Sequence, residues 1–237
     1  LLDVLCAAVH AATDGGGGDG DEDDDTTVRL SLQALTALTT NDQLRFDECD
    51  GAALLLAIAS GVGGGGRRRR RVCSARCHDA AYFLLHSLLR QRASVVLCAV
   101  PLLCASLRAL LDAIGALRSG DGDGGAVDVT DGRRQDVGDD EQLGCARNVR
   151  RLFEEVAEKK RALLRHGAYF LADAVAALRR PNLGAAARTE VTAGVHSILA
   201  MVGDVEKQEA YAGLDMAGRR LLKGVIATYE ESFKYKG

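Results

Sequence analysis

Apolar residues in this chain recur at three- and four-residue steps over long stretches, and that spacing matches the 3.6-residue turn of an α-helix. The pattern is densest between Val72 and Leu117. There Tyr82, Phe83, Leu85, Leu88 and Leu89 share one stripe, and Val95, Val96, Leu102, Leu103, Leu107, Leu110, Leu111 and Ile114 share the next. Strands would instead alternate at every second residue and draw on β-branched and aromatic side chains. Hydrophobic residues make up 47% of the 237, yet only 4% are aromatic, with no Trp and 2 Pro. Both observations predict an all-α chain of Leu- and Ala-rich helices packed on one another. Pro101 lacks an N–H and crowds the preceding turn, so the second stripe is expected to begin at or just before it.

Three stretches break the pattern: 13–25 (TDGGGGDGDEDDD), 61–71 (GVGGGGRRRRR) and 119–143 (SGDGDGGAVDVTDGRRQDVGDDEQL). Gly and like charges cannot bury enough apolar surface to offset the entropy of ordering, so these read as long disordered Gly/Asp/Arg-rich insertions. The chain then divides into a helical region 1–118 interrupted at 13–25 and 61–71, a disordered loop 119–143, and a C-terminal helical domain 144–237. The arginine run admits a nuclear-localisation or RNA-contacting role, but nothing aromatic interleaves it, which favours a plain flexible insertion.

The remaining helices follow from the same period. A helix over 28–40, capped by Thr26 or Thr27, offers Leu30, Leu32, Leu35 and Leu38 to a core, and a shorter one covers 52–60. Helix 145–165 buries Val149, Leu152, Phe153, Val156, Leu163 and Leu164, with Glu155 and Lys159 as a supporting pair. Helix 167–180 buries Tyr169, Phe170, Leu171, Val175 and Leu178 and stops at Pro181. Helices 187–202 and 204–212 lead to a final one. Short connections make neighbours antiparallel, and a series of such pairs suggests the end of an armadillo- or HEAT-like α-solenoid, although no repeat period is legible. The chain opens at Leu1 inside an apolar pattern, without Met, and is expected to be a piece of a longer protein.

Charge is unevenly spread: residues 1–50 hold 2 basic and 12 acidic side chains, residues 145–237 hold 16 and 11. An excess of +5 over ninety residues permits a charged partner but falls short of a dedicated nucleic-acid face. The 7 Cys are odd in number, and Cys6, Cys98, Cys104 and Cys145 sit in apolar or Ala-rich surroundings, which favours a reducing compartment. No signal peptide or anchor is visible at the N-terminus.

Cys73, Cys77 and His78 come nearest to a metal motif, but structural zinc wants four ligands, so a Cys pair on one helix face is the stronger reading. No Gly-x-Ser-x-Gly occurs, and His10, His78, His86, His166 and His196 have no legible partner arrangement. GDGDGGAVD at 120–128 lacks the strand, Lys and helix of a nucleotide loop, and the Asp run at 19–25 lacks calcium-loop spacing. No catalytic residue, metal, cofactor or small-molecule substrate is assigned, and no membrane contact.

The closing stretch, LDMAGRRLLKGVIATYEESFKYKG at 214–237, carries the most specific signal. Asp215 can accept from the free N–H groups of a first helical turn, and Leu222, Val225, Ile226, Tyr229 and Phe233 then form an apolar stripe. Arg219 and Lys223, four apart, flank it; either they are ordinary solvated charges, or Arg219 pairs with a carboxylate such as Glu190 or Glu206 while Tyr229, Phe233 and Tyr235 dock the tail.

Leu-Asp-x-x-Gly-Arg-x-Leu-x-Lys, a Tyr six residues beyond the Lys, and an aromatic-Lys-aromatic-Lys tail together resemble the C-terminal domain of the unhealthy ribosome biogenesis protein 2 family. Leu214, Asp215, Gly218, Arg219, Lys223, Tyr229 and Lys234 carry the likeness, helped by Gly194, Gln208 and the helix with Glu158, Lys159 and Lys160. The resemblance covers about the last ninety residues. It implies a nucleolar, non-catalytic helical scaffold in early large-subunit (pre-60S) assembly, where 27S pre-rRNA is processed. Its partners would be other assembly factors including an RNA helicase, with possible pre-rRNA contact, and the matched positions would be structural or partner-binding. Read without it, the chain is a generic helical-repeat adaptor or a direct RNA-binding helical domain.

Overall fold

The computed structural model describes residues 1–14, 21–63, 73–117 and 132–234. Among them every regular element is helical: α1 (Leu2–Asp14), α2 (Asp21–Thr39), α3 (Glu48–Gly63), α4 (Ala75–Gln91), α5 (Ala93–Leu97), α6 (Val100–Leu117), α7 (Gly132–Glu158), α8 (Lys160–Leu163), α9 (Gly167–Leu178), α10 (Ala185–Met201), α11 (Asp204–Gly213) and α12 (Met216–Lys234), with a 3-10 turn at Leu164–His166. The all-α expectation holds. Of the expected insertions, 15–20, 64–72 and 118–131 lie outside the described residues.

The long helices form two layers. In one, α2, α4, α7 and α10 each pack on the next, and cross-links show that they run the same way. Ser74 Oγ donates to Asp25 at 2.7 Å near the start of α2 and α4, and the hydroxyls of Thr39 and Ser87 meet at 3.2 Å near their ends. Asn148 donates to Asp79 at 2.7 Å and Arg90 reaches Glu155 at 3.3 Å, which sets α7 beside α4 in the same direction. Arg147 and Arg150 meet Glu190 at 3.4 and 3.1 Å, tying α10 on in turn. In the other layer α1, α3, α6 and α9 follow one another. Ser106 Oγ donates to the Leu55 carbonyl at 2.8 Å, Arg108 to Asp173 at 2.8 Å, and Arg180 to Asp112. Between the layers lies one continuous apolar core, in which Leu54, Ile58, Leu84, Leu88, Leu103, Phe153 and Phe170 lose essentially all contact with solvent.

Several expectations are corrected. α2 begins at Asp21 rather than after Thr27, whose hydroxyl donates within the helix to the Asp23 carbonyl. Asp23, Asp24 and Asp25 occupy its opening turns, where the helix dipole favours negative charge. Residues 132–143 are the first half of α7 and not loop, because Gln142 fastens them. Its buried amide donates to the Ile114 and Asn182 carbonyls at 2.9 and 3.0 Å, and its oxygen accepts from Gly184 N at 2.8 Å. α3 likewise runs on through 61–63. Phe83 and Tyr169, expected in the core, are 58% and 63% exposed, and Leu30 is 53% exposed. Cys98 is also exposed and lies 3.4 Å from Glu48. Glu155 meets His86 and Arg90 across the layer instead of Lys159 along its own helix. Val95 and Val96 belong to the short α5, and α6 starts at Val100, one residue before Pro101.

α6 is long and apolar enough to cross a membrane by length and composition. In this fold it is a core helix, with Leu103, Leu107, Leu110, Leu111 and Ile114 buried and Arg108 and Asp112 paired on its outer side.

Candidate partner-binding surface around the C-terminal helix

α12 rests on α9 and α10 through Leu222 and Val225, both buried, with Leu221, Ile226 and Tyr229 packed against the core edge. At its start, Asp215 Oδ1 accepts from Gly218 N at 2.8 Å, the N-cap read from the sequence. Arg179 Nη1 donates to the same oxygen at 2.6 Å. The backbone bond first, and then the guanidinium, hold this carboxyl below the usual Asp range. Gly218 is buried under the cap, and a Cβ there would lie 3.0 Å from Asp215 Oδ1 and 3.1 Å from Leu214 Cδ2. A side chain would push the cap open.

Arg219 does not pair with Glu190 or Glu206. Its Nε and Nη2 donate to the Tyr211 and Ala212 carbonyls at 2.9 and 3.1 Å, and the guanidinium stands 5.5 Å from the Tyr211 ring centroid. It thereby satisfies carbonyls left open at the end of α11 and sets the angle between α11 and α12. Glu190 is held by Arg147 and Arg150, whose hydrogen bonds to it keep its carboxyl below the usual range. Glu206 accepts from Gly203 N at 2.9 Å, capping α11.

Further along α12, the Tyr229 ring meets His196 edge-on at 5.6 Å. Burial lowers the His196 pKa against the opposing pull of the Val225 carbonyl. Gly194, two residues earlier on α10, marks a close approach of α7: a Cβ there would sit 2.8 Å from Phe153 Cδ2 and 3.1 Å from Arg150 Cα. Gln208 on α11 and Lys223 on α12 are exposed. The side chains of Phe233 and Lys234, and Tyr235, lie outside the described residues.

Among the matched positions, then, Leu214, Asp215, Gly218, Arg219 and Tyr229 seat α12 and Gly194 closes α10 on α7, whereas Gln208 and Lys223 face outward. Around these two the same end exposes Val205 (65%), Tyr211 (43%) and Met216 (71%). Sequence reasoning missed Arg179, His196 and Gln142, whose partners lie 28 to 42 residues away and leave no local signal. Cys73 and Cys77 are buried together, and among the described residues their thiols do not converge with His78. Cys77 Sγ lies 3.2 Å from the Asp25 carbonyl and Cys73 Sγ 3.4 Å from that of Ser74.

Residues 28–237 match the sequence model of the Urb2/Npa2 family, which takes in the helical framework from within α2 onward. The chain belongs to the Urb2/Npa2 family. This Urb2/Npa2 match extends well beyond the ninety residues that carried the resemblance, and it places the chain among ribosome biogenesis factors, a family not known for catalysis. No curated protein and no solved structure matches the chain. In Urb2/Npa2 terms, the motif around Asp215 and Gly218 is a helix-capping device, and its chemistry is that of packing.

Proposed function

We propose that this chain is a non-catalytic helical scaffold of early pre-60S assembly, working in the nucleolus where 27S pre-rRNA is processed, and that its two layers are the end of an armadillo/HEAT-like α-solenoid. The observation that carries the reading is the division of labour in the matched region: Leu214, Asp215, Gly218, Arg219 and Tyr229 seat α12 on its neighbours and Gly194 lets α10 approach α7, while Gln208 and Lys223 stay outside. A large apolar residue such as Met216 left 71% exposed beside a cation is what a protein-docking surface offers. The partners would be other pre-60S assembly factors, including an RNA helicase. A protein partner is favoured over direct pre-rRNA binding because the exposed side chains at this end include the large apolar Val205, Tyr211 and Met216, whereas RNA binding calls for a dense field of cations.

The test is sedimentation of the tagged full-length protein from cells, with bound rRNA precursors identified. The wild type is expected with pre-60S particles in nucleoli. A Met216→Glu/Lys223→Glu variant, altered only at exposed positions, is expected to leave them. Wild-type protein that stays at the top of the gradient, free of rRNA precursors, would refute the proposal.

A further inference from the structure

The seam between α4 and α7 holds a group of polar side chains that packing alone does not explain. His78 is wholly buried among α4, α6 and α7, and neither of its ring nitrogens has a hydrogen-bond partner. Leaving a buried polar group bare costs about 1–3 kcal/mol, and such groups are rare enough to call for a cause. The Leu110 carbonyl lies near enough to draw the imidazole pKa upward, but burial dominates and holds it down at about 4.

A ligand nitrogen of His78, a carboxylate oxygen of Asp79 and Cys145 Sγ lie within 4.8 Å of one another. Asp79 Oδ1 accepts from Asn148 Nδ2 at 2.7 Å, a bond that orients the carboxylate. Three donors of different chemistry thus converge, and among the described residues no hydrogen bond or ion pair ties them to one another, while both nitrogens of the buried ring stand bare.

We propose that His78, Asp79 and Cys145 bind one zinc ion that ties α4 to α7, with a solvent molecule as its fourth ligand. Two protein ligands come from consecutive residues of one helix and one from its parallel neighbour, supplying the nitrogen, oxygen and sulfur donors that zinc accepts and that magnesium and calcium do not favour together. Zinc bonds of roughly 2.0–2.3 Å put tetrahedral ligand atoms roughly 3.5 Å apart, so the side chains close in by about 1 Å on binding. The Cys145 S–H gives up its proton to solvent as the Zn–S bond forms. As the ring turns to the metal, its other nitrogen turns its N–H toward the Leu110 carbonyl, an outer contact of the kind that orients ligating histidines.

The experiment uses the full chain, stripped of metal and titrated with Co²⁺ as a spectroscopic stand-in for zinc. One equivalent is expected to bind with tetrahedral d–d absorption and a thiolate-to-cobalt charge-transfer band, and Zn²⁺ is expected to displace it. Cys145→Ala should abolish the band, and Cys77→Ala should leave it intact. Asp79→Asn, at a position outside the apolar core, should weaken binding at least tenfold. Zinc should also raise the melting temperature of the wild type, with little effect on Asp79→Asn. Absence of stoichiometric uptake, a band that survives Cys145→Ala, or Asp79→Asn binding like the wild type would each overturn the site.

Discussion

Gly194→Ala is the substitution that most directly tests how the two layers are held. The added methyl would lie 2.8 Å from Phe153 Cδ2 and 3.1 Å from Arg150 Cα, whereas ordinary contact begins at 3.4 Å. Phe153 is fully buried and cannot swing aside, and the Arg150 atom is backbone, so α10 must retreat from α7 along its length. Overpacking of this kind costs about 1–3 kcal/mol. A 2.8 Å contact falls in the upper half of that range, about 2–3 kcal/mol, and Ala returns about 1 kcal/mol of helix propensity, leaving a net loss of about 1–2 kcal/mol. Gly224→Ala is the internal control: it lies inside α12 with nothing within 4 Å of the new Cβ, so only the propensity gain of roughly 0.5–1 kcal/mol remains. The same chemical change, thirty residues apart, should therefore move the urea midpoint in opposite directions at constant m. Gly194→Ala protein as stable as Gly224→Ala would refute the claim that backbone contact sets the α7–α10 distance.

Gln142→Ala strands the Ile114 and Asn182 carbonyls and Gly184 N, and at roughly 1–3 kcal/mol per unpaired buried group the loss should reach about 3 kcal/mol. A thermal shift near zero would show that water takes the amide's place. His196, facing the Tyr229 ring and the Val225 carbonyl, has a folded pKa below that of the unfolded chain. Docking of α12 is therefore fully stable above the ordinary histidine range and weakens as pH falls through that range toward the folded value. Amide exchange of residues 216–232 should accelerate on acidification from about pH 7.5 to 5, and His196→Leu should flatten the response. Truncation after Gly213 removes the burial of Leu222 and Val225, worth roughly 1.5–3 kcal/mol each, and should lower the melting temperature while the remainder stays helical. An unchanged melt would place α12 outside the core.

The helices were legible wherever an apolar stripe marked them, because burial on one side imposes the 3.6-residue period on the sequence itself. The stripe gives an axis but not a width: Phe83 and Tyr169 stand at its margin, and only the neighbouring helix decides which side of the margin is wet. The start of α7 was illegible for a different reason. Its Asp- and Gly-rich opening has the composition of a loop, and the residue that orders it, Gln142, acts through carbonyls supplied by α6 and the α9–α10 turn. At the candidate surface the Asp215 cap could be read because capping is local. The partners of Arg179 and Arg219 could not, since which carboxylate or carbonyl comes within reach depends on how α9, α11 and α12 meet.

The layered order of the helices has a mechanical consequence. Each is fastened chiefly to the one before and the one after, through ties such as Ser74–Asp25, Asn148–Asp79 and Arg150–Glu190. A load applied at one end is therefore relayed from tie to tie as slight sliding at every seam, so the body bends like a leaf spring instead of folding about a single hinge. A pull on α12 works against the stiffness of α9 and α10 first, and α1 and α2 feel it last.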